Sequence, residues 1–260
     1  MPGVTRNARR DARIHQSWEG WRDFMTGVHQ YEAWDQRPAR QFEFLQQFLS
    51  QLPSGAQVLD VGAGQCELAR FLSGFRYVGV DSAVGDKSWD YSDLDAVADV
   101  QVLPFASRSF DGAMNLWVVE HVRNPHRMVQ EVFRVLKLGG RFLMFAPFVV
   151  HEHQAPRDYY RFTRHGALAL LEDAGFVDVI VQADSSRSFA MFYEAAKYLL
   201  TLRNTKGLPP EWAAQLSSAA ETLSEVARHC ASETGYETGA DALSYMAMAH
   251  KPVGGELCGN

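Results

Sequence analysis

An apolar run ends in a glycine-bracketed turn at residues 58–64, which read VLDVGAG. Glycine lets the backbone turn tightly and come close to a ligand, so Gly62 and Gly64 predict a turn that cradles a nucleotide-type cofactor after a buried strand. Residues 67–72 then predict a helix whose first N–H groups face the same ligand. A dinucleotide fingerprint has a third small residue where Glu67 stands, and this glutamate argues against NAD and FAD.

A second short apolar run, residues 77–81, ends in the acid Asp81. It lies about 20 residues after the glycines, which is the usual spacing of a carboxylate that accepts hydrogen bonds from ribose hydroxyls. This spacing alone suits either NAD or S-adenosylmethionine (SAM). The decision between them depends on the sequence further along the chain.

Four motifs follow: LPF at 103–105, SFD at 109–111, EHV at 120–122 and RVLKLGG at 134–140. This series resembles the class I SAM-dependent methyltransferases, particularly the branch that acts on small molecules. The resemblance covers roughly residues 56–182. Leu138 departs from the family, which usually has proline before the paired glycines, and it lies in a turn that puts no ligand contact in doubt.

The resemblance implies an α/β, Rossmann-like class I methyltransferase fold with a mostly parallel seven-stranded sheet and an antiparallel last strand. Strands and helices that alternate along the chain agree with such a sheet. Two helical patterns, at 189–202 and 210–230, separate the last two strands and predict a helical insertion that acts as a lid or a dimer contact. The predicted parts are an N-terminal helical cap at 1–55, a SAM-binding core at 56–183, the insertion at 184–241, and the last strand and tail at 242–260.

The cap is rich in aromatic residues, which we expect to pack it onto the sheet. Tyr31 and Trp34 are also candidates for a lid over the ligand.

Ligands of parallel sheets bind beyond the carboxyl ends of the strands, so residues distant in sequence can share one rim. The resemblance implies that the glycine turn and Asn115 face the methionine portion of SAM. It also implies that Asp81 binds the ribose and Asp99 the adenine amine. The residues that it assigns to SAM and to its product S-adenosylhomocysteine are Asp60, Gly62, Ala63, Gly64, Asp81, Ser82, Asp99, Val100, Asn115 and Leu116.

The segment 147–163 follows the fifth predicted strand and is similar to a motif of a methyltransferase subgroup, roughly P…H..P.DY.R.T. Methyl transfer from a sulfonium needs an aligned acceptor and, where the acceptor is protonated, a base, but no nucleophilic residue. Histidine titrates near neutral pH, which suits a general base. The candidate catalytic residues of this segment are His151, His153, Asp158 and Tyr159.

A structural interpretation of the same segment stays open. In it, Asp158 pairs with Arg157 or Arg161, while Thr163 caps a helix that begins near the next residue. Glu120 is interpreted as a carboxylate at a helix start, where it complements the helix dipole.

His151 and His153, with Glu152 and His121, also raise the question of a metal site. Their spacing differs from the helical HExxH pattern of zinc enzymes, and the sequence predicts no metal. For His121 two interpretations stay open: a structural hydrogen bond or a role in the pocket.

The formal net charge of −6 argues against a nucleic-acid substrate, because phosphate binding normally shows as a basic surface. The longest apolar run, 142–150, is far shorter than the ~20 residues of a membrane span. Three cysteines without CxxC spacing fit a reducing compartment, so we expect a cytoplasmic protein. The helical insertion leaves a homodimer open as an alternative to a lid. The predicted reaction is methylation of an oxygen or nitrogen atom of a small-molecule acceptor, such as a natural product or sugar-type metabolite. The alternatives are a methyltransferase of protein or RNA and a non-catalytic partner protein with the same fold.

Overall fold

A seven-stranded sheet organises the chain in the computed structural model, which describes residues 20–23, 25, 35, 37–85, 88–231 and 242–254. The strand order is β3-β2-β1-β4-β5-β7-β6. β7 runs antiparallel to both neighbours, whereas the pairs from β3 to β5 are parallel. The predicted fold class is therefore confirmed. The strands are β1 (Gln57–Val61), β2 (Arg76–Asp81), β3 (Ala96–Val97), β4 (Phe110–Leu116), β5 (Leu136–Pro147), β6 (Val177–Ala183) and β7 (Ser244–His250).

Five α-helices can be delimited in the described part of the chain, and three of them begin at a side-chain cap. Asn124 accepts from the N–H of Arg127, and Thr163 accepts from that of Gly166, as predicted for this threonine. Ser186 caps a third helix in the same way. The helices are α1 (Arg37–Ser50), α2 (Pro125–Val135), α3 (Arg164–Asp173), α4 (Arg187–Arg203) and α5 (Pro210–Ala231).

At two positions where the sequence predicted the start of an α-helix, the structure has a short 3-10 helix instead. The segment after the glycine turn forms only a short 3-10 helix, Glu67–Phe71. Cys66 precedes it in the left-handed region with φ of 59° and gives no side-chain cap, so no α-helix is initiated there. The turn after β4, Val119–His121, is also 3-10, and the α-helix begins only at Pro125.

The sheet is covered on both faces. One buried cluster joins the sheet to α2 and α3, and a second joins it to α1 and the 3-10 helix after the glycine turn. Trp21 belongs to the second cluster, where its ring meets that of Phe71 edge-on at 5.3 Å and its indole N–H donates to Pro38 O. The predicted packing role of the cap aromatics holds for this residue. Tyr31 and Trp34 lie outside the described residues.

The helical insertion is a hairpin of α4 and α5 that packs on the rest of the chain. Phe189 and Tyr193 of α4 form a buried cluster with Leu243 and residues of α5. The guanidinium of Arg37 lies over the Tyr193 ring at 4.5 Å, and it pairs with the buried carboxylate of Asp35. The insertion is thus anchored to the N-terminal cap and to the start of β7.

Within the described ranges, the helices are too short or too polar to cross a membrane.

Candidate active site

The glycine turn joins β1 to the end of β2. The N–H groups of Gly62 and Ala63 donate to Val80 O at 2.8 and 3.0 Å. Gly62 has φ of +86°, and a Cβ atom there would come within 2.5 Å of Val118 Cγ1, so this position requires glycine. The predicted turn is therefore present at the carboxyl edge of the sheet.

Asp81, at the end of β2, fixes this turn. Its Oδ2 accepts from the N–H of Gly64 at 3.0 Å, and its Oδ1 accepts from the N–H of Ala83 at 2.8 Å. Ser82 lies between these contacts and is half-buried. The carboxylate therefore shapes the backbone on both sides of the rim as well as being available to a ligand.

Asp60 lies beneath the turn and is fully buried. Tyr77 Oη donates to its Oδ2 at 2.6 Å. Burial raises the pKa of the Asp60 carboxyl to about 7, against the lowering effect of the Tyr77 hydrogen bond and with a further rise from the charge of Asp81. Asp60 is thus a structural support of the loop in this geometry.

Asn115 connects β4 to the glycine turn. Its Nδ2 donates to Val61 O at 2.8 Å, and the side chain is completely buried. Its Oδ1 has no hydrogen-bond partner among the described residues. A buried acceptor without a donor is unfavourable, so this atom fits a ligand that carries N–H groups, such as the ammonium of SAM. Leu116 follows it and is buried as well.

Asp99 and Val100 follow β3. Asp99 is exposed and accepts from the backbone N–H of Gln101 at 2.8 Å and from its side-chain amide at 3.0 Å, whereas Val100 is buried. The two residues offer a polar group and an apolar surface side by side.

Trp89 was not predicted as a site residue. A Cβ atom on Gly64 would lie 3.3 Å from its Cζ3, which places the indole over the glycine turn. Its ring centroid is 6.2 Å from that of Tyr91. Two aromatic residues in a polar loop directly after the Asp81 strand are the sequence signal that would have found this contact.

The segment 147–163 folds back onto the turn after β4. Tyr159 N donates to Glu120 O at 2.9 Å, and Phe162 N donates to Pro147 O at 2.9 Å. The Arg157 side chain reaches Val84 O, in the loop after β2. The segment therefore extends from the end of β5 to the loop after β2.

Arg161 organises this segment. Its guanidinium donates to both oxygens of Asp158, at 2.6 and 2.7 Å, and to the carbonyls of Val150 and His151 at 2.9 and 2.8 Å. The hydrogen bond from Arg161 holds the pKa of Asp158 down at about 2, although burial opposes it. Of the two partners that the sequence left open, Asp158 pairs with Arg161.

The four candidate catalytic residues are not equivalent. His153 is half-buried, and its backbone N–H donates to Asp158 Oδ2 at 2.7 Å. His151 is exposed, with Nδ1 at 3.4 Å from Glu194 Oε2 of α4. Tyr159 is exposed, and the guanidinium of Arg123 lies 5.4 Å from its ring centroid. The structure brings the half-buried His153 and Asp158 together, whereas the side chains of His151 and Tyr159 are exposed.

Glu120 is buried to 1% exposure, which the sequence interpretation as a helix-start carboxylate did not anticipate. Burial raises the pKa of its carboxyl to about 8; its own backbone N–H and Arg161 lower the pKa, and Asp158 raises it further. His121 Nε2 and His153 Nε2 lie 3.7 and 3.9 Å from Glu120 Oε1. No sequence pattern near Glu120 predicts its burial, because His153, its neighbour in space, follows the end of a different strand.

A family model described as a methyltransferase domain matches residues 59–144, the part that contains β1 to β4 and most of β5. Residues 59–144 therefore match a methyltransferase domain, within a sheet of the class I SAM-dependent methyltransferase type. This methyltransferase domain includes the glycine turn, Asp81, Asp99 and Asn115.

The names of similar proteins specify different methyl acceptors. Demethylmenaquinone methyltransferase of Symbiobacterium thermophilum is 27% identical over 169 residues, covering 59% of this chain and 61% of that protein. The tRNA (carboxymethyluridine(34)-5-O)-methyltransferase of Xenopus tropicalis is 28% identical over 127 residues, covering 44% of this chain and 19% of that protein. The chain therefore spans less than two thirds of the length of these relatives.

Among solved structures, phosphoethanolamine N-methyltransferase 2 of Haemonchus contortus in complex with SAM superposes with a TM-score of 0.51. The identity is 18%, and the match covers 82% of this chain and 52% of that one. At this identity the likeness shows the fold alone.

Proposed function

We propose that this protein is an enzyme that transfers the methyl group of SAM to an oxygen or nitrogen atom of a small-molecule acceptor. The observation that carries the proposal is the glycine turn, which Asp81 fixes, beside the buried Oδ1 of Asn115, which has no hydrogen-bond partner among the described residues. These groups lie at the carboxyl edge of a parallel sheet, where such folds bind ligands.

In this proposal, the residues named from the sequence hold SAM. Asp81, with Ser82 beside it, would accept from the ribose hydroxyls, and Asp99 from the adenine amine, with Val100 against the ring. The glycine turn (Gly62, Ala63 and Gly64), Asn115 and Leu116 would hold the methionine portion, with Asp60 as support. When bound, SAM supplies an electrophilic methyl group on a sulfonium.

The acceptor is proposed to bind between the segment 147–163, the turn after β4 and the insertion. Alignment of the acceptor atom with the methyl group is the main source of rate, because an in-line displacement gains most from proximity and orientation. His151 and His153 are the candidates to take a proton from a protonated acceptor. Asp158 acts in this proposal through Arg161, which holds the carbonyls of the segment.

A small acceptor is favoured over a macromolecule by two features. The net charge of −6 disfavours a phosphate backbone. Helix α4 also contacts the segment 147–163, because Glu194 Oε2 lies 3.4 Å from His151 Nδ1. This contact narrows the space proposed for the acceptor. Action on RNA is the second candidate, because one of the similar proteins is named as a tRNA methyltransferase. We place the enzyme in the cytoplasm, because its three cysteines lack CxxC spacing and fit a reducing compartment.

An acceptor screen tests this proposal. The protein is incubated with SAM and separate pools of small hydroxylated and amino metabolites, bulk tRNA and unfolded protein, and S-adenosylhomocysteine is quantified by mass spectrometry. We expect its formation with a small-molecule pool and a product heavier by one methylene group. Turnover confined to tRNA or protein would refute the small-molecule acceptor, and no turnover by SAM-loaded protein would refute the enzyme. The Asp81→Ala variant is the matched control for turnover that depends on the proposed site.

A further inference from the structure

Three potential ligand side chains converge at the carboxyl ends of β4 and β5. Glu120 and His121 come from the turn after β4, and His153 comes from the segment after β5. One ligand atom of each lies within 4.8 Å of those of the other two. The distances from Glu120 Oε1 to His121 Nε2 and His153 Nε2 are 3.7 and 3.9 Å, too long for hydrogen bonds and short enough to enclose an ion.

The hydrogen bonds of both imidazoles leave Nε2 as a lone-pair donor. His121 Nδ1 lies 2.7 Å from Arg157 O, and a carbonyl oxygen can only accept, so Nδ1 carries the proton. His153 Nδ1 lies 3.1 Å from His151 O, which favours the same tautomer. Arg161 Nη2 is 3.3 Å from this Nδ1 but donates at 2.7 Å to Asp158. Imidazoles that bind metals are commonly oriented by such an Nδ1–H bond to a carbonyl.

The cluster contains buried atoms that need a partner. Glu120 is 1% exposed, and its Oε2 and His121 Nε2 have no hydrogen-bond partner among the described residues. Leaving buried polar atoms unpaired is unfavourable, because each has lost its hydrogen bonds to water. One external proton donor would satisfy only part of this cluster, whereas a cation would satisfy the carboxylate and both lone pairs.

We propose that Glu120, His121 and His153 bind a divalent transition-metal ion of the Zn²⁺ class. Two imidazoles and one carboxylate form a donor set that zinc accepts while keeping a further position for water or substrate. Zinc–ligand distances of about 2.0–2.2 Å would require the three donors to move closer by up to about 1 Å. The nearby positive charge of Arg161 is balanced by the carboxylate of Asp158, which accepts two hydrogen bonds from it at 2.6 and 2.7 Å.

This site differs from the one that the sequence led us to reject. There, His151 and His153 were the central pair, but His151 is exposed and bonded toward Glu194. Parallel pairing of β4 with β5 instead brings His153 to Glu120 and His121. With the ion bound, His153 Nε2 is a ligand and not a base, and the remaining position suits an acceptor oxygen. That last consequence alone rests on the proposed function.

The test measures metal binding without any acceptor. Chelator-treated full-length protein is titrated with Zn²⁺ by calorimetry and with Co²⁺ by visible absorption, and SAM binding is measured separately on the same sample. We expect one ion per chain and a Co²⁺ spectrum of low-coordinate histidine ligation. Glu120→Gln, His121→Ala and His153→Ala should each weaken affinity at least about tenfold.

The matched control is His126→Ala, since this histidine is exposed and lies 3.8 Å from Asp173, away from the cluster. It should bind Zn²⁺ like the wild type. Circular dichroism identifies any variant that fails to fold, and the wild-type Co²⁺ spectrum remains as an independent readout. No Zn²⁺ binding by the wild type, or equal affinity in folded His153→Ala and His126→Ala, would overturn the proposal. SAM binding that persists in that case would leave the proposed function intact.

Discussion

Asp81 holds the glycine turn and the start of the next loop through two backbone N–H groups, those of Gly64 and Ala83. We expect Asp81→Ala to weaken SAM binding by roughly 1.5–3 kcal/mol, the range for lost hydrogen bonds to a charged group. Calorimetry measures the effect, with Asp173→Ala as an exposed control on α3. Affinity equal to the wild type would mean that the ribose is held elsewhere.

Asp60 should make stability depend on pH. Burial raises its folded-state pKa to about 7, whereas the unfolded carboxyl titrates near 3.8. The folded state therefore holds this proton more tightly, and the stabilisation, at most about 4 kcal/mol, is complete below about pH 4 and lost as pH rises through 7. Asp60→Asn removes the titration and should flatten this part of the profile. Urea unfolding at about pH 4.5 and 7.5 checks it; an identical fall in both proteins would exclude Asp60 as the source.

At the scale of elements, the segment 147–163 depends on the Asp158–Arg161 pair, because Arg161 also binds the carbonyls of Val150 and His151. Asp158→Ala leaves a partly buried guanidinium without its carboxylate, and we expect a loss of about 2 kcal/mol in the free energy of unfolding. Glu67→Ala is the matched control, since it removes an exposed carboxylate with the same three-residue spacing to an arginine, Arg70. That pair should contribute well under 1 kcal/mol. Equal losses in the two variants would show that Arg161 does not organise the segment.

The sequence predicted elements whose signals are local. The two helices of the insertion begin and end within two residues of their predicted bounds, because their apolar spacing is continuous. The antiparallel last strand was likewise predicted correctly, and Thr163 caps its helix as in the structural interpretation that the sequence left open. By contrast, the α-helix predicted after the glycine turn is only a 3-10 helix, since Cys66 adopts a left-handed backbone.

The site residues divide in the same way. The glycine turn and Asp81 could be predicted because their spacing along the sequence is itself a signal. The structure brings them together through the hydrogen bond from Gly64 N–H to Asp81. The burial of Glu120 against His153 depends on the pairing of β4 with β5, which brings together residues about thirty positions apart. A single sequence without that tertiary contact shows only a carboxylate in a polar turn.

At the scale of the whole molecule, α4 links the N-terminal cap to the segment 147–163, through Tyr193 against Arg37 and Glu194 near His151. We therefore expect the insertion to act as a lid. Hydrogen exchange across 187–231 should slow when SAM and an acceptor are added, because both sides of the contact become ordered. The outer face exposes Met191, Tyr198 and Trp212, which could instead meet a second copy. Exchange that responds to protein concentration but not to ligand would favour the dimer contact over the lid.

The proposed function depends above all on the binding of SAM at the rim formed by the glycine turn, Asp81 and Asn115. Isothermal titration calorimetry of the folded protein with SAM, and then with S-adenosylhomocysteine in competition, measures this directly. We expect one site per chain for which the two compounds compete. Folded protein that binds neither compound would refute a SAM site at this rim.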